Sequence, residues 1–305
     1  MNADKGTRMN AAAIKWTVRG LAVTFLASLA FAASANTPIP NGKWSFVWTD
    51  AKGDTAKPMR VYTYRPRACD TTCPMVIVLH GMSRDASNYR DFWELLADHY
   101  KVLVVAPEFS NEHWHGTQGY NLGEIAKGER QKTVFAAIEH LFDEMRDGQT
   151  SYVLFGHSAG GQVAHRMALL FPENRASVIV AANPGWYTMP DFRQEKVTNP
   201  FPYSLVNVPG GGGEQLLRKA LARRLVVMAG ENDNDPDAKN MSKSDGAEKQ
   251  GATRLERAET FFKTATTAAN DLGVKLDWEL IEVPGVAHSG SSMSKAAADA
   301  VLGKK

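Results

Sequence analysis

Residues 156–160 read Gly-His-Ser-Ala-Gly: a serine with glycine two places before it and two places after it. A serine hydroxyl is a weak nucleophile at neutral pH. It needs a base within hydrogen-bond reach, and donors for the negative charge that forms when it attacks a carbonyl carbon. The G-x-S-x-G spacing serves such an attack when a strand leads in and a helix follows. The glycines then let the chain turn sharply without Cβ clashes, and the Ser158 hydroxyl stands exposed at the strand end. That context is present, with the apolar run 152–155 before the pentapeptide and a helical pattern over 159–171, stopped by Pro172, after it. The backbone N–H of Ala159, at the helix start, is the expected first oxyanion donor. The bland alternative is a glycine-tolerant strand–helix turn.

The remaining groups should follow in the order acid, then histidine, each on a loop after a later strand. The apolar run 225–229 is followed by Gly-Glu-Asn-Asp, which places Asp233 just past a strand. Asp235 and Asp237 are its rivals; Asp233 is preferred because it lies nearest the strand end. The acidic run also suggests a calcium loop, but such a loop needs glycine at its sixth position and glutamate at its twelfth. Ala238 and Ser244 stand there instead. The run 276–283 is followed by Pro-Gly-Val-Ala-His, so His288 is the expected base, with one ring nitrogen toward Ser158 and the other toward Asp233. The second oxyanion donor should come from the loop after residues 75–79, His80-Gly81-Met82, with the N–H of Met82 as the candidate. His80 and His157 read as packing residues rather than further bases.

These residues need a scaffold that brings separate loops together. Strand patterns occur at 44–49, 59–64, 75–79, 101–106, 152–155, 177–181, 225–229 and 276–283. Helical patterns occur at 88–98, 134–146, 159–171, 254–272 (closed by Gly273) and 292–302. The alternation predicts an α/β fold with a mostly parallel sheet covered by helices on both faces. Several of the strands are wholly apolar, as strands buried on both faces are. Two stretches break the alternation. One is a polar loop at 108–130; the other, residues 189–224, carries several prolines and the run Gly210 to Gly213, and is expected to form a small cap or lid.

Taken together, HGM at 80–82, GHSAGG at 156–161, GEND at 230–233 and VPGVAH at 283–288 resemble the α/β-hydrolase superfamily. The resemblance spans nearly all of the chain beyond its first 35 residues. Within the superfamily it is most similar to exported bacterial hydrolases related to polyhydroxyalkanoate depolymerases and feruloyl esterase-type enzymes. It implies acyl transfer through a covalent acyl-enzyme, with no metal and no cofactor. It does not imply a substrate, because the fold hosts many chemistries.

Composition narrows the rest. The chain has 305 residues, 44% of them hydrophobic, which suits one large domain. Charged residues make up 22% and the formal net charge is +2, so no charge excess for nucleic acid is present. Residues 1–35 read as an export signal: a basic start, an apolar run at 20–33 too short for a comfortable membrane span, and Ala33-Ser34-Ala35 as the cleavage site. The alternative is an uncleaved anchor helix. Cleavage removes four basic residues and one acidic one, leaving 31 Lys and Arg against 32 Asp and Glu over residues 36–305. The expected location is periplasmic or secreted, with no membrane association after cleavage. The two cysteines, Cys69 and Cys73, then suit a short-loop disulfide.

Trp114 and Tyr120 in the 108–130 loop, and Trp186 after residues 177–181, are candidates for lining a substrate pocket or, equally, for anchoring their loops. His113 and His115 have no identifiable third ligand, so no metal is expected. The resulting expectation is an exported serine hydrolase of carboxylic esters, acting on a small-molecule or polymeric substrate. Its rivals are a polyester depolymerase or peptidase on the same groups, and a non-catalytic binding protein. Nothing in the sequence sets an oligomeric state.

Overall fold

The structure, a computed structural model, describes residues 39–193 and 199–303; the expected signal at 1–35 lies outside them. Eight strands form one sheet in the order β1-β2-β4-β3-β5-β6-β7-β8. They are β1 (Gly42–Trp48), β2 (Met59–Arg65), β3 (Met75–Leu79), β4 (Leu103–Pro107), β5 (Tyr152–His157), β6 (Ala176–Ala182), β7 (Leu225–Gly230) and β8 (Trp278–Val283). β1 and β2 pair antiparallel, and β2 joins β4 antiparallel. From β4 to β8 every pairing is parallel.

The apolar strands divide their side chains between two cores, because successive residues of a strand point to opposite faces. Ile77, Leu79, Leu154, Ile179 and Val227 belong to the core under α3 (Val134–Met145), α4 (Ala159–Leu170), α5 (Glu214–Leu221) and α7 (Arg254–Leu272). Val76, Val78, Phe155, Val180 and Val226 belong to the core under α1 (Ala86–Phe92), α2 (Glu94–Tyr100) and α8 (Gly290–Leu302). A short helix, α6 (Asp245–Glu248), lies between β7 and α7.

The strand order explains where a site can form. The chain leaves β3 for β4 on one side, then returns to β5 on the other. α1 follows β3 onto one face and α4 follows β5 onto the opposite face. At such a reversal the connections diverge and leave a crevice at the carboxyl ends of the strands. Ser158 follows β5 there, and the His80-Gly81-Met82 loop follows β3.

Three local expectations need correction. The helix expected at 88–98 is two helices that meet at Trp93, which ends α1 and starts α2 with φ −96° and ψ −3°. Trp93 is fully buried, with its ring 5.3 Å from that of Phe155 on β5, so tertiary packing sets the break. The segment 189–224 is in part framework rather than cap. Its residues 214–221 are α5, which buries Leu217, Ala220 and Leu221, and the Ala220 carbonyl accepts from the Trp278 indole N–H at 3.0 Å. Leu205 and Val208, from the preceding loop, enter the main core; residues 194–198 lie outside the described residues. The 108–130 loop is likewise not simply polar. It carries a turn of π-helix at Thr117–Asn121 and is held down by buried Phe109, Trp114, Tyr120 and Leu122.

Cys69 and Cys73 are joined by a disulfide in the β2–β3 connection. Among the described residues, no helix is long and apolar enough to cross a membrane.

Candidate active site

Ser158 stands between β5 and α4 with φ 57° and ψ −114°, a backbone conformation that L-residues rarely adopt. The neighbouring glycines are required by close approach. A Cβ on Gly156 would lie 2.2 Å from the Gly160 carbonyl oxygen, and one on Gly160 would lie 2.4 Å from that of Leu79 on β3. The turn is pinned from β6, where the Ala182 carbonyl accepts the Ser158 N–H at 2.9 Å. Ala159 is the first residue of α4, so its N–H has no intrahelical partner.

His288 and Asp233 reach the same point from the loops after β8 and β7. His288 Nε2 is 3.0 Å from Ser158 Oγ, and His288 Nδ1 is 2.6 Å from Asp233 Oδ2. The carboxylate accepts from Nδ1–H, which leaves Nε2 free to take a proton from the serine. Asp235 and Asp237 are both exposed, whereas Asp233 is 4% exposed. Burial alone would push the Asp233 carboxyl up, but the hydrogen bond and charge of His288 and the charge of Arg254 outweigh it and hold it below its ordinary value.

The loop after β3 closes the arrangement. A Cβ on Gly81 would lie 3.8 Å from Ser158 Cβ, so the Gly81–Met82 backbone runs beside Ser158. His80 is fully buried beneath it. Its Nδ1–H donates to the Gly81 carbonyl at 2.9 Å, its Nε2 accepts the Phe109 N–H at 3.0 Å, and burial pushes the ring down to about 4. His80 is therefore a neutral brace for this loop. His157 is similarly internal: its Nδ1 pairs with the Tyr89 hydroxyl at 2.7 Å, and burial, reinforced by the nearby His288, pushes it down to about 3.

The three candidate pocket aromatics are placed differently from a lining. Tyr120 is fully buried and donates to the His80 carbonyl at 2.8 Å, while its ring stacks on His80 at 4.6 Å. Trp114 is 3% exposed and packs edge-on against Phe109. Trp186 is 7% exposed and sits between the Arg166 guanidinium and the Tyr203 ring. All three anchor loops, because their apolar area is already covered by neighbours. The exposed apolar side chain on the loop beside Ser158 is instead Met82, 59% exposed, and Phe92, 37% exposed, lies near the start of α8. Phe92 lies 3.3 Å from a Cβ built on Gly290, two residues past His288.

Two positioning residues escape the sequence patterns. Asn183, at the end of β6 with φ 45°, accepts the Gly230 N–H at 2.8 Å and donates to the Ala287 carbonyl at 3.2 Å. One side chain thus ties the Asp233 loop to the His288 loop. Arg254, the first residue of α7, donates to Asp233 Oδ1 at 2.9 Å. A cation in the first turn of a helix opposes the helix dipole, and that mismatch is the one sequence signal that could have flagged it. Among the described residues, no group of three or more His, Cys, Asp or Glu side chains comes together to hold a metal ion.

The chain matches known proteins across this framework. A model described as the alpha/beta hydrolase family matches residues 76–301. The structure is similar to that of poly(aspartic acid) hydrolase-1 from Sphingomonas sp. KT-1, with a TM-score of 0.80 and 35% identity, over 86% of this chain and 99% of that one. It is similar to LpqC, a poly(3-hydroxybutyrate) depolymerase from Bordetella parapertussis, with a TM-score of 0.79 and 33% identity, over 87% of this chain and 91% of that one. A 112-residue stretch is 29% identical to the uncharacterized hydrolase YugF of Bacillus subtilis, covering 36% of this chain and 37% of YugF. With its strand order, its serine turn and a family match over most of its length, the chain belongs to the alpha/beta hydrolase family.

Proposed function

We propose that this protein is an exported serine hydrolase that cleaves the ester bonds of a neutral polyester chain of hydroxyacid units. The observation that carries the reading is the chain of contacts Ser158 Oγ–His288 Nε2–Asp233, at 3.0 and 2.6 Å. Ser158 attacks the ester carbonyl while His288 takes its proton. The oxyanion is held by the Ala159 and Met82 amides. His288 then gives its proton to the departing alcohol, leaving an acyl-enzyme. Water, activated by the same histidine, releases the acid and restores the serine. Asp233 keeps His288 in the tautomer this sequence needs and stabilises the imidazolium.

The polymer reading is supported by the likeness to a poly(3-hydroxybutyrate) depolymerase and by an open site. The His288 side chain is 32% exposed, and apolar Met82 stands exposed on the loop beside the serine. A poly(aspartic acid) amide is the second reading, favoured by the 35% identity to the poly(aspartic acid) hydrolase. Exposed Glu231 and Asp235, close to Asp233 in the chain, oppose a polyanion, and apolar Met82 offers it no partner. Export is supported by the pattern at residues 1–35 and by the disulfide, which persists in oxidising compartments.

The test is hydrolysis of 3-hydroxybutyrate oligomers and of poly(aspartic acid) by wild type and Ser158→Ala. Serine-dependent release of hydroxyacid is expected. Release of aspartate oligomers alone would replace the ester reading with the amide one. Equal turnover by a folded Ser158→Ala protein would refute the nucleophile. Recovery of a periplasmic or secreted form beginning at Asn36 would test export.

A further inference from the structure

We infer that Arg254 is a positioning residue of the reaction: it holds the Asp233 carboxylate in the one orientation that aims His288 at Ser158. This rests on the serine-hydrolase reading above. Asp233 has two carboxylate oxygens and both are engaged. Oδ2 accepts from His288 at 2.6 Å and Oδ1 from Arg254 Nη1 at 2.9 Å. The Asp233 and Arg254 side chains are each 4% exposed, so this is a buried ion pair whose two charges depend on one another. Without Arg254 the carboxylate would be free to turn about its Cβ–Cγ bond, and the His288 ring would lose its fixed axis.

The arginine arrives on a rigid support. Thr253 caps α7 by accepting the Glu256 N–H at 3.2 Å. One turn on, the fully buried Arg257 donates to the carbonyls of Gly251, Gly185 and Ser242, tying α7 to the loops around it. Placing a cation at the first position of a helix runs against the local dipole, and such conflicts between local preference and fold concentrate at functional sites. The surrounding ionisable groups do not duplicate its role. His157, whose ring centre is 4.7 Å from that of His288, is neutral, and burial and the Asp233 charge keep the Tyr187 hydroxyl protonated. Glu231 is turned to the Gly285 N–H.

A second consequence is electrostatic. Arg254 shares the Asp233 charge with His288. When the cation is removed, the Asp233–His288 pair holds its proton more tightly, and the base form exists only at higher pH. The pH profile therefore separates positioning from mere support of the fold.

The experiment compares wild type, Arg254→Met and Arg254→Lys by kcat and KM on p-nitrophenyl butyrate from pH 5 to 9, by fluorophosphonate labelling of Ser158, and by circular dichroism. Arg254→Met should lose about tenfold to a hundredfold in kcat with little change in KM, and its acidic limb should rise by about one pH unit. Arg254→Lys keeps the charge but carries it as an ammonium on a flexible stem in place of the planar group whose Nη1 reaches Oδ1, so its limb should stay in place while kcat falls several-fold. A folded Arg254→Met with an unmoved limb overturns the inference. Where Arg254→Met does not fold, Arg254→Lys decides, and wild-type kcat or a shifted limb in that variant overturns it. Failure of wild-type Ser158 to label, with no turnover, removes the serine-hydrolase reading itself. Normal labelling with an unmoved Arg254→Met profile removes the arginine's role alone.

Discussion

Lowering the pH from 7 to 5 acts on three histidines that the fold keeps neutral. His80, His157 and His165 are at most 3% exposed, and burial lowers all three, His80 to about 4 and His157 to about 3. Two of them have both ring nitrogens committed. His80 Nε2 accepts the Phe109 N–H, and His165 Nε2 accepts the Thr188 N–H at 3.1 Å. A second proton on either ring would face a donor. In the unfolded chain the same imidazoles titrate near 6.5. Between pH 6.5 and about 4 the unfolded state therefore binds more protons than the folded state, so stability falls as pH falls. At pH 5 His80 and His157 each cost about 2 kcal/mol, or about 4 kcal/mol together, a sizeable part of the 5–15 kcal/mol typical of a folded protein, and His165 acts in the same direction. Asp233, held low by His288 and Arg254, adds its own loss only at more acid pH. Urea unfolding followed by tryptophan fluorescence at pH 7, 6 and 5 measures this without relying on activity. The midpoint should fall steadily across that range. Equal midpoints at pH 7 and 5 would refute the argument that the three rings are buried neutral.

Other outcomes follow from single contacts. Asp233→Asn should lower kcat by about 10⁴ by destabilising the required tautomer, while Asp235→Asn, at an exposed position, should leave it within twofold; steady-state kinetics decides. Gly160→Ala drives a Cβ to 2.4 Å from the Leu79 carbonyl and 2.8 Å from that of His80, so thermal melts should show a loss of about 1–3 kcal/mol or more, together with lost activity as the Met82 loop is displaced. Asn183→Ala removes the link between the Asp233 and His288 loops, leaving the Gly230 N–H without its partner; about 1–3 kcal/mol of stability should go, and Ser158 should label more slowly.

Much of the site was readable because its requirements are local. Ser158 needs glycines on both sides within one turn, and that need is written in five consecutive residues. His288 and Asp233 each follow an apolar run long enough to be a strand, and chain order then separates them from other histidines and acids. The strands themselves were legible because burial on both faces demands uninterrupted apolar residues. Boundaries were less so: α1 and α2 part at Trp93 because Phe155, far away in sequence, receives its ring.

What the sequence by itself determined is therefore the alternation of elements, the serine turn and the order of the groups along the chain. What only the tertiary structure decided is which side chains those groups meet. Trp114 and Tyr120 look like free aromatics in a polar loop, yet Tyr120 fills space beneath the loop that carries Met82 and Trp114 is buried against Phe109. Asn183 and Arg254 look like ordinary polar residues at element ends, yet one joins two site loops and the other holds the second oxygen of Asp233. The role of Asn183 has no sequence signature, and that of Arg254 has only the mismatch of a cation in the first turn of its helix. A hydrogen bond between residues 21 or 104 positions apart depends on how strands and helices pack, and periodicity reports only the face a residue occupies, not the partner it finds there.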